Sequence, residues 1–283
     1  MKDTYEFALP KILVHEGGWA NHPKDPGGAT MKGVTQRVYD GYRRNKKRPL
    51  QSVQFISTGE LQEIYRKQYW DAIQGDDLPQ GVDYVVFDGA VNSGPGQSIK
   101  WLQRALQPYY KGAIDGVIGQ GTLAALEQIT DYDKLVSAII VRREAFLRAL
   151  KTWSTFGKGW LSRVRQVLAI GQQWAFGSVG PEPTFFDGGN HKAVIADAKP
   201  MSTKAPADGA TGGGIATTTL GGVLDSAKET LQPLAGDNVT ISYVVTALIV
   251  TGVVSAIAGL AYRYIAKRRN DELQDALDLE VAT

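Results

Sequence analysis

Cysteine is absent from the 283 residues, and histidine occurs only three times. The first absence excludes disulfides and thiolate metal sites. His15, His22 and His191 form no ligand-spaced pair, so no metal centre is expected either. No period of 20–50 residues recurs, which excludes a solenoid. Met1–Leu13 carries Lys2, Asp3 and Glu6 and no uninterrupted apolar core, so no signal peptide is read there. Net charge is nearly absent, at +2, but this hides an asymmetry. Residues 1–176 hold 23 Lys and Arg against 17 Asp and Glu, and the remainder 8 against 12. A basic globular part suits an anionic polymer, either nucleic acid or bacterial cell wall, and is equally compatible with an ordinary solvated surface.

Helical periodicity dominates the first 176 residues. Thr4–His15 reads as a helix ended by Gly17-Gly18. Ser57-Thr58-Gly59-Glu60 is a capping box that opens a helix through about Asp71. Further helices are expected over Val82–Asn92, Gly96–Leu106, Gly121–Ile129, Asp133–Leu150 and Lys158–Ala175, with 19–35 as a turn-rich loop. Residues 177–222 are rich in Gly, Pro, Ala and Thr and read as flexible linker, and Asp225–Leu231 as a short helix beyond it. From Asn238 to Tyr262 no charge occurs, and Arg263, Lys267, Arg268 and Arg269 follow. About 20 apolar residues suffice to cross a bilayer, so this run is expected to be a transmembrane helix with a cytoplasmic C-terminus.

The chemistry concentrates near the N-terminus. Glu16 ends an apolar helical run and precedes two glycines, which leave room beside it for a bulky substrate. Asp25 follows in a Pro/Gly-rich turn, and Thr30 five residues later. Glycoside hydrolysis needs one carboxyl to protonate the leaving oxygen and a second group to position water or stabilise positive charge. Spacing alone reads Glu16 equally as that acid or as a surface residue before a helix-ending glycine. Asp25 equally caps a turn, and Thr30 caps the next segment. Trp19 and Asn21 suit stacking on and hydrogen bonding to a sugar, and His22 acid–base work; buried packing is the competing reading for Trp19. Asn92, in Asn92-Ser93-Gly94, either lines a cleft or ends a helix. Arg43-Arg44-Asn45-Lys46-Lys47-Arg48 is the densest basic cluster and reads as a loop touching an anionic surface.

Glu16-Gly17-Gly18-Trp19, Asn21-His22-Pro23-Lys24-Asp25-Pro26-Gly27-Gly28-Ala29-Thr30 and Lys32-Gly33-Val34-Thr35 together resemble glycoside hydrolase family 108, the phage and bacterial N-acetylmuramidases. Trp19 stands for the more usual Tyr, and Val34 for Ile. Phe87-Asp88-Gly89-Ala90-Val91-Asn92-Ser93-Gly94 is similar to the family's second half, and Asp115–Leu126 to its accompanying predicted peptidoglycan-binding segment. The resemblance implies that Glu16 is the catalytic acid, with Asp25 and Thr30 as supporting groups. From their own chemistry Trp19, Asn21, His22 and Asn92 are the expected substrate-binding residues, and no cofactor is expected.

The fold class expected is all-α: a lysozyme-like helical domain, then a disordered linker and one C-terminal transmembrane helix. The divisions are 1–93 catalytic, 94–176 peptidoglycan-binding, 177–237 linker, 238–265 membrane helix and 266–283 acidic tail. The expected protein is a peptidoglycan hydrolase of the endolysin type, held in the inner membrane as a single-pass protein and acting in the periplasm. Its partners would be peptidoglycan, the membrane and other lysis or secretion components, and not nucleic acid. A lytic transglycosylase and a non-catalytic wall-binding protein are the alternatives.

Overall fold

A computed structural model describes residues 4–21, 28–177, 191–203 and 239–278, with side chains of the last stretch described at Val254 and from Ile257 onward. Asp25, His22, most of the expected linker and the expected short helix at Asp225–Leu231 lie outside the described residues. The chain divides into two compact units, Met1–Lys199 with Ala276–Asp278, and Pro200–Asp275 with Leu279–Thr283.

The first unit is mainly helical. Helix α1 (Tyr5–Leu13) contains Pro10 and gives way to Gly17, whose φ of 70° only glycine adopts without strain. Where a turn-rich loop is expected, three two-residue strands form instead: β1 (Trp19–Ala20), β2 (Thr30–Met31) and β3 (Val34–Thr35). They make an antiparallel sheet in the order β1-β2-β3, with Trp19 opposite Met31 and Met31 opposite Val34. Lys32 and Gly33 form the β2–β3 turn with φ of 46° and 76°, the doubly positive pattern that matches the twist of a tight hairpin.

Helix α2 (Gln36–Asn45) was not foreseen, because it is polar and buries only Tyr39. It carries part of the basic cluster. Arg43 and Arg48 both pair with Glu60, at 2.8 and 3.0 Å, and Lys46 pairs with Glu63. Three of the cluster's cations are thus paired within the fold, and Arg43-Arg44-Asn45 is helical where a loop was expected. The capping box forms as expected at the start of α3 (Thr58–Tyr65), which continues as a π-helical turn over Arg66–Trp70.

Helix α4 (Val82–Ser93) is the centre of the unit. All of Val82–Asn92 is buried, so the segment is apolar on every side apart from Asp83, Asp88 and Asn92. It packs against α1, α5 (Pro95–Ala105), α7 (Tyr132–Arg148) and α8 (Trp153–Ala175). Trp70 and Phe87 meet edge to face at 5.2 Å, and Trp70 meets Tyr5 at 5.4 Å. Helix α6 (Gln120–Leu126) follows the Asp115-Gly116 turn. The short segment 191–199 is ordered on this unit. Leu150 bridges Ala198, Lys151 N–H donates to the Asp197 carbonyl at 2.6 Å, and Lys199 N–H to that of Ala149 at 2.9 Å.

Helix α9 (Val239–Leu277) runs for 39 residues, and in the second unit Asn270 binds the backbone of Ser202 through both ends of its amide. Among the described residues no helix is long and apolar enough to cross a membrane. This overturns the transmembrane helix expected over 238–265 and, with it, the single-pass inner-membrane placement. The helix does not stop at the basic cluster. It continues through Arg263, Lys267, Arg268, Arg269, Asp271, Glu272 and Asp275. The side chains of 239–253, 255 and 256 lie outside the described residues.

Candidate active site

Glu16 leaves α1 just before the glycine turn, and its side chain is only 1% exposed. A carboxylate so placed needs compensation. Arg163, from α8, donates to Oε1 at 3.1 Å. Lys192 Nζ donates to Oε2 at 2.7 Å and to the Val91 carbonyl at 2.5 Å. The hairpin tip sits beside Glu16. A Cβ on Gly33 would lie 2.9 Å from Glu16 Oε2 and 2.6 Å from the Tyr65 hydroxyl. Tyr65 donates to the Lys32 carbonyl at 2.8 Å, which ties the turn to α3. Burial, reinforced by the Glu16 charge, raises the Tyr65 and Tyr69 pKa values, so both phenols stay protonated beside the acid.

Arg163 is shared. It makes three hydrogen bonds of 2.8–3.1 Å to Asp88 of α4, which is wholly buried. Arg143 of α7 adds an ion pair to Asp88 at 2.7 Å. Burial by itself would raise Asp88, but the Arg163 and Arg143 guanidiniums override it and hold the carboxyl far below the usual range. Burial works against Arg163 as well, yet Asp88 and Glu16 raise its pKa further above the ordinary value. The chain Glu16–Arg163–Asp88–Arg143 thus joins the turn after α1 to α8, α4 and α7 and fixes the Glu16 carboxyl against the core.

The other sequence candidates fall as follows. Trp19 is 39% exposed, on β1, so its ring faces outward and is not core. Asn21 is exposed. The Thr30 hydroxyl, on β2, donates to the Gly28 carbonyl at 3.1 Å. Asn92 is buried. Its amide N–H donates to the His191 carbonyl at 3.1 Å, so it holds the 191–193 segment. Asp88, Arg143, Arg163 and Lys192 were missed. Asp88 alone carried a signal, a charge in an otherwise apolar helix, which demands a buried partner. Among the described residues no group of three or more His, Asp or Glu is arranged to hold a metal ion.

Glu16 is thus a buried carboxyl held by Arg163 and Lys192 beside the β2–β3 hairpin. The family model for glycosyl hydrolase 108 matches residues 9–94, and that for a predicted peptidoglycan domain matches 97–165. Among solved structures, "Structure of Brucella abortus SagA" is 38% identical with a TM-score of 0.52, covering 62% of this chain and 97% of that one. No curated protein matches. The chain belongs to the glycosyl hydrolase 108 family and is a glycoside hydrolase acting on peptidoglycan. The family resemblance read from the Glu16–Thr35 motifs is borne out.

Proposed function

We propose that this enzyme cleaves the β-1,4 bond between N-acetylmuramic acid and N-acetylglucosamine, with Glu16 as its general acid. The observation that carries the reading is the placement of Glu16, fixed by Arg163 beside the β2–β3 turn within the family-matched segment. Glu16 gives its proton to the glycosidic oxygen as the C1–O bond breaks. Water adds at C1, with Asp25 or Thr30 orienting it or stabilising the oxocarbenium-like state. The exposed Trp19 ring supplies a stacking face, with Asn21 and His22 as hydrogen-bonding partners. The cellular setting we propose is endolysin-type wall opening in phage lysis, which rests on the family resemblance.

The test is product analysis. Full-length chain is incubated with purified peptidoglycan, and the released muropeptides are reduced with borohydride and identified by mass spectrometry. Reduced N-acetylmuramic acid at the new ends supports the proposal. Reduced N-acetylglucosamine would move the cut to the other bond. 1,6-Anhydro ends would replace hydrolysis by transglycosylation.

A further inference from the structure

We propose that His191–Lys199 is an autoinhibitory latch whose Lys192 blocks the acid, so that cleavage requires this segment to leave Glu16. The inference rests on Glu16 being the general acid, and it concerns the regulation of that same site.

A general acid must present an O–H to the leaving oxygen. Glu16 Oε1 accepts from Arg163 and Oε2 accepts from Lys192. An ammonium has three donors and no acceptor, so the Oε2 site that Lys192 occupies cannot carry a donatable proton. With Lys192 in place the Glu16 side chain is only 1% exposed, so its remaining lone pairs present no proton to a leaving oxygen outside. The two cations are not equivalent. Arg163 is interior and anchored three times to Asp88. Lys192 lies on a short segment, and its side chain is 38% exposed, so it is the partner able to withdraw. Burial, opposed by Glu16, also lowers the Lys192 pKa, which makes this ion pair the less secure of the two.

The segment is seated, not merely near. Trp160 Nε1 and the Asn92 amide both donate to the His191 carbonyl, at 2.7 and 3.1 Å. Ala193 N–H donates to the Asn92 carbonyl at 3.1 Å, and Ala193 is completely buried. The His191 ring stacks on Phe156, with centroids 3.6 Å apart. His191–Lys199 lies beyond the last family-matched residue, 165, whereas Asn92, Phe156 and Trp160, which seat it, lie inside the matched segments, so the blocking group is an addition to them.

The experiment compares initial rates of peptidoglycan solubilisation by full-length wild type, Lys192→Met, Ala193→Asp and Glu16→Gln, with thermal melts to confirm folding. Lys192→Met removes the ammonium and keeps the stem. Ala193→Asp unseats the segment and leaves Lys192 chemically intact. We expect Lys192→Met to raise the rate about tenfold, the weight of one charge-assisted hydrogen bond, and Ala193→Asp to raise it similarly. An unchanged or lower rate in folded Lys192→Met, or in folded Ala193→Asp should the first variant not fold, overturns the latch. Failure of the underlying reading looks different: Glu16→Gln would then match wild type, or no variant would release anything.

Discussion

Asp88 is the residue whose loss should cost the fold most. It is fully buried, accepts three hydrogen bonds from Arg163 and pairs with Arg143. Asp88→Asn keeps the volume and one acceptor but takes from two buried guanidiniums the carboxylate they share. Removing one member of a buried pair costs about 3–5 kcal/mol. The retained amide oxygen favours the lower end, about 3 kcal/mol. For a unit of about 200 residues, 1 kcal/mol moves the midpoint by roughly 2–4 °C, so Tm should fall by about 6–12 °C. Circular dichroism melts at pH 7 measure this. The pH dependence gives a second arm. Because the folded-state pKa of Asp88 is depressed, its stabilisation is present above about pH 4, the unfolded value, and is lost as pH falls below it. Wild type should lose that stability in acid, and Asp88→Asn should lack that slope. A Tm change under about 2 °C, with parallel pH profiles, would refute the argument that the network holds the core together.

Asp83 has the opposite sign. Burial raises its carboxyl to about 7, against the bond it accepts from Thr4. Between about pH 4 and 7 the folded chain keeps a proton that the unfolded chain has lost, so this contribution falls as pH rises. It amounts to at most about 4 kcal/mol. Urea titrations at pH 5 and 8 should show Asp83→Asn reducing that drop, and equal drops in both proteins would contradict it. Gly33→Ala adds a Cβ 2.6 Å from the Tyr65 hydroxyl and 2.9 Å from Glu16 Oε2, at a φ of 76°. The backbone strain alone costs about 1–2 kcal/mol. Wall-solubilising activity should fall more than stability does, and an active, equally stable variant would show that the turn does not shape the acid's surroundings.

Much of this was legible locally. The Ser57/Glu60 capping box and the apolar run of α4 were read from spacing. The sheet was not, because two-residue strands carry no readable alternation. Glu16 could be nominated from its motif. Its partners could not, since Arg163 and Lys192 lie 147 and 176 residues away and reach it only through the fold. Lys192 sits in a stretch whose composition reads as linker, and nothing local marks it. The membrane expectation weighed an apolar run without the helix that contains it, which continues through its charged flank to Leu277.

The most direct test is the turnover of Glu16→Gln against wild type, both full length and both shown to be folded, on purified peptidoglycan with released reducing ends as the readout. The account predicts release from wild type and none above background from Glu16→Gln, with wall binding retained by both. Equal release from the two proteins would remove Glu16 as the acid and contradict the account at its centre.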